Sequence, residues 1–154
     1  MALSFSIALK KKWLGAAAGH TSLKGILTAV QINLYSSARP ASPEVSAPSG
    51  TSLLAEITYN ASGGTFVDAD TSGILKKDTN LWTDASANNA GQAVWFRLFI
   101  YGQDPTVDDT STKTAIRIDG LCGTALQAGD LILPSLQIIA LQAVTVDVFS
   151  IQLP

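Results

Sequence analysis

The stretch Ala93–Tyr101 (Ala-Val-Trp-Phe-Arg-Leu-Phe-Ile-Tyr) constrains the fold of this chain more than any other. Its side chains alternate with period two. Val94, Phe96, Leu98 and Ile100 share one face, and Trp95, Arg97, Phe99 and Tyr101 share the other. Both faces are apolar except for one arginine. Such a strand is covered on both sides by its own chain, or has one side against a partner subunit.

The same period recurs around it. Ile26–Tyr35 reads as a half-buried strand, with Ile26, Val30, Ile32 and Leu34 on one face and Gln31 and Asn33 on the other. Thr51–Tyr59 reads as a second strand with Leu53, Ala55, Ile57 and Tyr59 inward, and Thr65–Val67 as a short edge strand. In Ala115–Asp119, Ile116 and Ile118 point in while Arg117 and Asp119 point out on a shared face. Near the C-terminus Val144, Val146 and Val148 share a face, and then Phe149, Ile151 and Leu153 take the opposite one. A flip of that kind marks a bulge or bend that carries a strand around a corner. Between the strands lie turn-rich segments, notably Ser36–Gly50 with Pro40, Pro43 and Pro48, whose prolines exclude a central strand there.

Helical spacing is expected once, over Phe5–Ala18, where Phe5, Leu9 and Trp13 recur every four residues before Gly19. That helix is either an arm laid on a neighbour or a cover over its own domain. The organisation expected is an N-terminal arm or helix over residues 1–24 and one β-domain over residues 25–154. Short strands with turn signals and at most one helix predict an all-β antiparallel sandwich of jelly-roll or immunoglobulin-like form.

At 154 residues the chain suits one domain able to bury roughly 70% of its unfolded surface. Only 14% of residues are charged against 47% hydrophobic, which leaves a weakly charged surface suited to contact with another subunit. A net charge of −2 gives no field to hold nucleic acid, and Lys10-Lys11-Lys12 is too short to reverse that. The lone Cys122 cannot form an internal disulfide. The first residues place apolar groups before the lysines, the wrong order for a secretory signal, and no apolar run has the length of a membrane span. The expectation is a soluble protein made in a cytoplasm, with neither nucleic acid nor membrane as partner.

Motifs for chemistry are weak. His20 is the sole histidine and lies in a Gly-rich stretch, while Cys122 has no adjacent base to lower its pKa. Asp68-Ala69-Asp70-Thr71-Ser72-Gly73 opens like a calcium loop, but Thr79 stands where the bidentate glutamate belongs, and Lys76 and Lys77 intrude. Asp108-Asp109 reads as a solvated pair in a polar loop. Trp82, Trp95 and Tyr101 would suit either a sugar platform or a core. The expectation is a non-enzyme without cofactor or metal.

In chain order, Phe5-Ser6…Leu9, Ile32-Asn33-Leu34-Tyr35-Ser36-Ser37-Ala38-Arg39-Pro40-Ala41-Ser42-Pro43, Gly50–Thr58, Val94-Trp95-Phe96-Arg97-Leu98, Arg117-Ile118-Asp119-Gly120 with Gly123-Thr124, and Val144-Thr145-Val146…Phe149…Gln152-Leu153-Pro154 form an ordered set. With that set the sequence resembles small virion-associated structural proteins of tailed bacteriophages. It departs from them in a shortened stretch after Gly123 and in Leu141, which precedes Gln142 in place of a glycine turn. The resemblance implies a β-sandwich virion component assembled in the host cytoplasm and supplies no catalytic residues. As a capsid decoration (cement) protein it would bind the major capsid protein, other virion subunits and its own copies. A neck, tail or fibre component and a carbohydrate-binding adhesion module are the alternatives. The candidate interface residues are Phe5, Leu9, Trp13, Arg39, Trp95, Arg97, Tyr101, Arg117 and Asp119.

Overall fold

The computed structural model describes residues 3–14, 22–67, 74–125, 129–146 and 148–152. Along the chain β1 (Ser4–Phe5) leads into helix α1 (Ile7–Trp13), and a single helical turn, α2 (Leu23–Ile26), precedes β2 (Val30–Tyr35). A 3-10 turn over Gly50–Ser52 opens β3 (Leu53–Ile57), followed by β4 (Phe66–Val67), β5 (Ile74–Lys77), β6 (Trp82–Asp84) and β7 (Gly91–Gln92). The strongest alternation in the sequence forms β8 (Trp95–Ile100). After it come β9 (Arg117–Gly123), β10 (Leu131–Ile132), β11 (Gln137–Ile138), β12 (Val144–Val146) and β13 (Val148–Gln152). The protein is mostly β, as expected.

The main sheet runs β3-β2-β8-β9-β10-β13-β5-β4, antiparallel except between β9 and β10, with β1 added on the edge of β9. Smaller pairs are β6 with β12 and β7 with β11. The sheet curls. A bridge between Thr58 and Thr83 joins the end of β3 to β6, and β12 continues along the chain into β13. The path that leaves β3 through β2 and β8 therefore returns to it through β13, β12 and β6. The phase changes, but earlier than expected: Val144 and Val146 are buried, Val148, expected on their face, is 63% exposed, and Phe149 and Ile151 are buried.

One cluster fills the interior, with Ile32 and Leu34 from β2, Phe96 and Leu98 from β8, Ile118 from β9 and Ile151 from β13. Aromatic edges cross it: Phe96 meets Phe149 at 5.4 Å, and Phe66 meets Trp82 at 5.5 Å, both T-shaped. Trp82 fits because Gly64 has no side chain; a Cβ there would lie 2.2 Å from the indole.

Two expectations need correction. The N-terminal helix begins at Ile7, not Phe5, because Phe5 pairs with Ile118 in the sheet and Ser6 caps the helix, its hydroxyl accepting the Leu9 N–H (3.3 Å). Its expected end falls outside the described residues. Ile26 belongs to a helical turn, since the Ser22 hydroxyl accepts the Gly25 N–H (3.1 Å) and starts α2 before β2 can extend back. The described part of residues 1–24 packs on the rest of the chain. β1 extends β9, and Leu9 is fully buried in the main cluster.

Candidate functional site

The polar residues singled out in the sequence converge on one face of β2, β8 and β9. Register places Asn33, Arg97 and Asp119 in one row across these strands, with Tyr35, Trp95 and Leu121 in the next. On an open sheet this face would meet water. Here two loops, 36–49 and 101–116, lie over it, and Arg97, Arg117, Asp119 and Asn33 are all buried.

The arginines hold the loops down. Arg97 Nε and Nη2 donate to the two Asp119 carboxylate oxygens, each at 2.7 Å, and Nη1 donates to Val45 O (2.8 Å) and Pro105 O (3.2 Å). Arg117 Nη1 donates to Pro43 O and Glu44 O, and Nη2 to Asp104 O and Val107 O (2.8 Å). One guanidinium fork can reach several carbonyls at once, which suits arginine over lysine here. The loops also bond each other, Ala47 N–H to Pro105 O (2.9 Å) and Asp109 N–H to Glu44 O (2.8 Å). Burial pushes the Asp119 carboxyl up against the pull of Arg97, and burial together with Arg97 lowers Arg117.

Around this centre sit residues that sequence reasoning missed. Asp109, expected to be solvated, is buried. Burial pushes its carboxyl up, but hydrogen bonds from the Thr112 hydroxyl, the Thr114 and Ala115 N–H groups and the Thr114 hydroxyl outweigh that and bring it down to about 2. Glu44 Oε1 accepts the Ile7 N–H (2.6 Å), tying the first loop to the start of α1. Burial opposes ionisation of Glu44, and the Ile7 N–H and Ser42 hydroxyl outweigh it, lowering its pKa. The Ser6 hydroxyl accepts the Arg117 N–H (3.0 Å) and so ties α1 to β9. The only sequence signal for any of these was local: an Asp followed by Thr at short spacing, or a Ser ahead of an apolar run.

Beside the charged row, Tyr35 and Trp95 stack at 4.3 Å between ring centres, 15° from parallel, against Ala47 of the loop. Arg97 lies over the indole at 5.6 Å. Among the described residues, Tyr35 Oη and Trp95 Nε1 are buried without a well-formed hydrogen bond, the neighbouring Asn33 side chain exerting only a pull on the phenol that burial outweighs. Burial pushes the Tyr35 phenol up to about 12.

The expected interface set therefore divides. Leu9, Trp95, Arg97, Arg117 and Asp119 are buried inside the chain's own fold, so they present nothing to a partner; the covering of β8 comes from its own loops. Phe5 is half-buried, while Trp13 (38%), Tyr101 (40%) and Arg39 stay exposed and are not brought together by these contacts. Trp82 is 1% exposed and donates to Asp78 Oδ1 (3.0 Å), which removes it as a sugar platform. Burial pushes the Cys122 thiol up to about 12. His20 and the Asp68–Gly73 loop fall outside the described residues. Among the described residues, no three His, Cys, Asp or Glu side chains group as metal ligands, and no helix is long and apolar enough to cross a membrane. The described charged row acts as a fastener: its donors and acceptors are spent on holding loops.

Compared with protein families, curated proteins and solved structures, the chain matches none.

Proposed function

We propose that this chain is a non-enzymatic structural subunit of a tailed-phage virion, acting as a decoration protein on the assembled shell. Its curled sheets would then be the β-sandwich, of jelly-roll or immunoglobulin-like form, that the resemblance implies. The observation that carries the reading is where the resembling segments fall. Scattered in sequence, Ile32–Pro43, Gly50–Thr58, Val94–Leu98 and Arg117–Gly120 make up the hydrogen-bonded neighbours β3, β2, β8 and β9 and the loop strapped over them. The shared residues thus form one strapped scaffold. A scaffold of this kind stabilises a shell by mass action, binding only the assembled state.

The test is the copy number of this chain per major shell subunit in purified particles, by quantitative mass spectrometry. A ratio at or above a simple fraction of one supports shell decoration. A handful of copies per particle moves the chain to neck, tail or fibre, and absence from particles retires the virion reading.

A further inference from the structure

We infer that residues 3–9 form a latch on the two covering loops. This N-terminal segment, loop 36–49 and loop 101–116 open together as one unit and uncover the Arg97–Asp119 row and the Tyr35–Trp95 stack. Three segments far apart in the chain meet at two buried residues, Glu44 and Arg117. Ser6 N–H donates to Arg117 O (2.9 Å), and the Ser6 hydroxyl accepts the Arg117 N–H (3.0 Å). Ile7 N–H donates to Glu44 Oε1 (2.6 Å). The same two residues hold the loops by their other groups. Glu44 O accepts the Asp109 N–H (2.8 Å). The Arg117 guanidinium donates to Pro43 O and Glu44 O of the first loop and to Asp104 O and Val107 O of the second.

Lifting the segment takes a partner from three groups at once: the Arg117 N–H, the Arg117 carbonyl and the Glu44 carboxylate. Of the donors to that carboxylate, the Ser42 hydroxyl belongs to the same loop and moves with it, while Ile7 N–H ties it to another element. A buried carboxylate that loses such a tie turns towards water. That motion draws the Glu44 carbonyl off the Asp109 N–H and off Arg117, so the second loop loosens with the first. On the segment's side the hold is local. β1 pairs with β9 at two residues, Ser4 with Asp119 and Phe5 with Ile118. When the segment leaves, β9 keeps β8 at Arg117–Leu121 and β10 at Cys122 and Gly123. The opening unit is therefore smaller than the fold, as local cooperative openings are. Leu9, fully buried, sets how rarely it opens. The inference does not rest on the virion reading.

The experiment is residue-resolved hydrogen exchange of the full chain by NMR, with Ile7→Pro and Ile7→Ala alongside. Proline removes the N–H that Glu44 accepts; alanine removes most of the side chain and keeps the N–H. Ile7 is the first helical position, where proline is tolerated, and Ser6 before it has the extended backbone that proline requires (ψ 154°). The Ala47 and Asp109 amides, bonded to Pro105 O and Glu44 O, should exchange at least about tenfold faster in Ile7→Pro than in Ile7→Ala. Amides of β5 and β13, paired with each other beyond β10, should exchange alike in the two variants. In the wild type in low urea, the Ser6, Ala47 and Asp109 amides should share one opening free energy below that of β5 and β13, a readout that needs no variant. Loops that exchange equally in both variants overturn the inference. So does a rise in Ile7→Pro that extends equally to β5 and β13, or a wild type in which Ser6 opens without Asp109.

Discussion

Arg97 and Asp119 face each other across β8 and β9 through two parallel 2.7 Å hydrogen bonds, with their side chains 0% and 1% exposed. The pair sits beneath loops that its own arginine holds in place. Removing one member therefore leaves a buried charge without its partner. Asp119→Ala is expected to lower the unfolding free energy by about 3–5 kcal/mol in urea denaturation. The double variant Arg97→Met/Asp119→Leu should recover part of that loss. It should not recover all, because the carbonyls of Val45 and Pro105 lose their donor. Equal losses in the single and double variants would overturn the view that an unpaired buried Arg97 adds to the cost of losing Asp119.

The Tyr35 hydroxyl makes a contrasting case, buried without a well-formed hydrogen bond among the described residues. Tyr35→Phe removes that group and keeps the stack on Trp95. We expect unchanged stability or a gain of up to about 1 kcal/mol. In the wild type, absorbance titration should find one of the three tyrosines ionising only near pH 12, and Tyr35→Phe should remove that step. A clear loss of stability in the variant would show that the hydroxyl is hydrogen-bonded, to the Asn33 side chain or through a bridging water.

Acid should loosen the loops before the rest of the fold. Asp109 holds its folded pKa at about 2, below the roughly 3.9 of an unfolded aspartate. The folded state thus binds fewer protons in that interval. The stability Asp109 contributes is complete above about pH 5 and is lost as pH falls towards 2. Melting temperature against pH should fall less steeply over this window in Asp109→Asn than in the wild type. Asp108→Asn, at an exposed neighbour, is the control and should keep most of the slope.

Two positions in the β3–β4 connection should respond oppositely to a single methyl group. Ala61 sits at φ 52° in a turn closed by the Ser62 N–H on Tyr59 O, so Ala61→Gly relieves strain and should gain roughly 0.5 kcal/mol after the added unfolded-state entropy. Gly64→Ala drives a Cβ into the Trp82 ring, 2.2 Å from Cε2, and should cost about 3 kcal/mol or more. Chemical denaturation of both variants checks the pair, and equal shifts would refute the packing of Trp82 on Gly64.

The sequence by itself determined the mostly β class, the inward apolar residues of β2 and β9, the two-sided burial of β8, and a change of phase in the C-terminal run, though not that Val148 faces out. Those features follow from period-two alternation, which depends only on near neighbours along the chain. It also marked Arg117 and Asp119 as sharing one face. Only the tertiary structure decided what covers that face. Prolines and polar residues in 36–49 and 101–116 read locally as wet loops, yet they are drawn onto the sheet because buried guanidiniums need carbonyl acceptors that strands already paired in a sheet cannot supply. The same contacts bury Asp109 and Glu44. Similarly, the start of α1 depended on the edge of β9 that pairs with Phe5, more than 100 residues away in the chain. Alternation reveals which residues share a face; which distant backbone satisfies that face is a property of the closed fold.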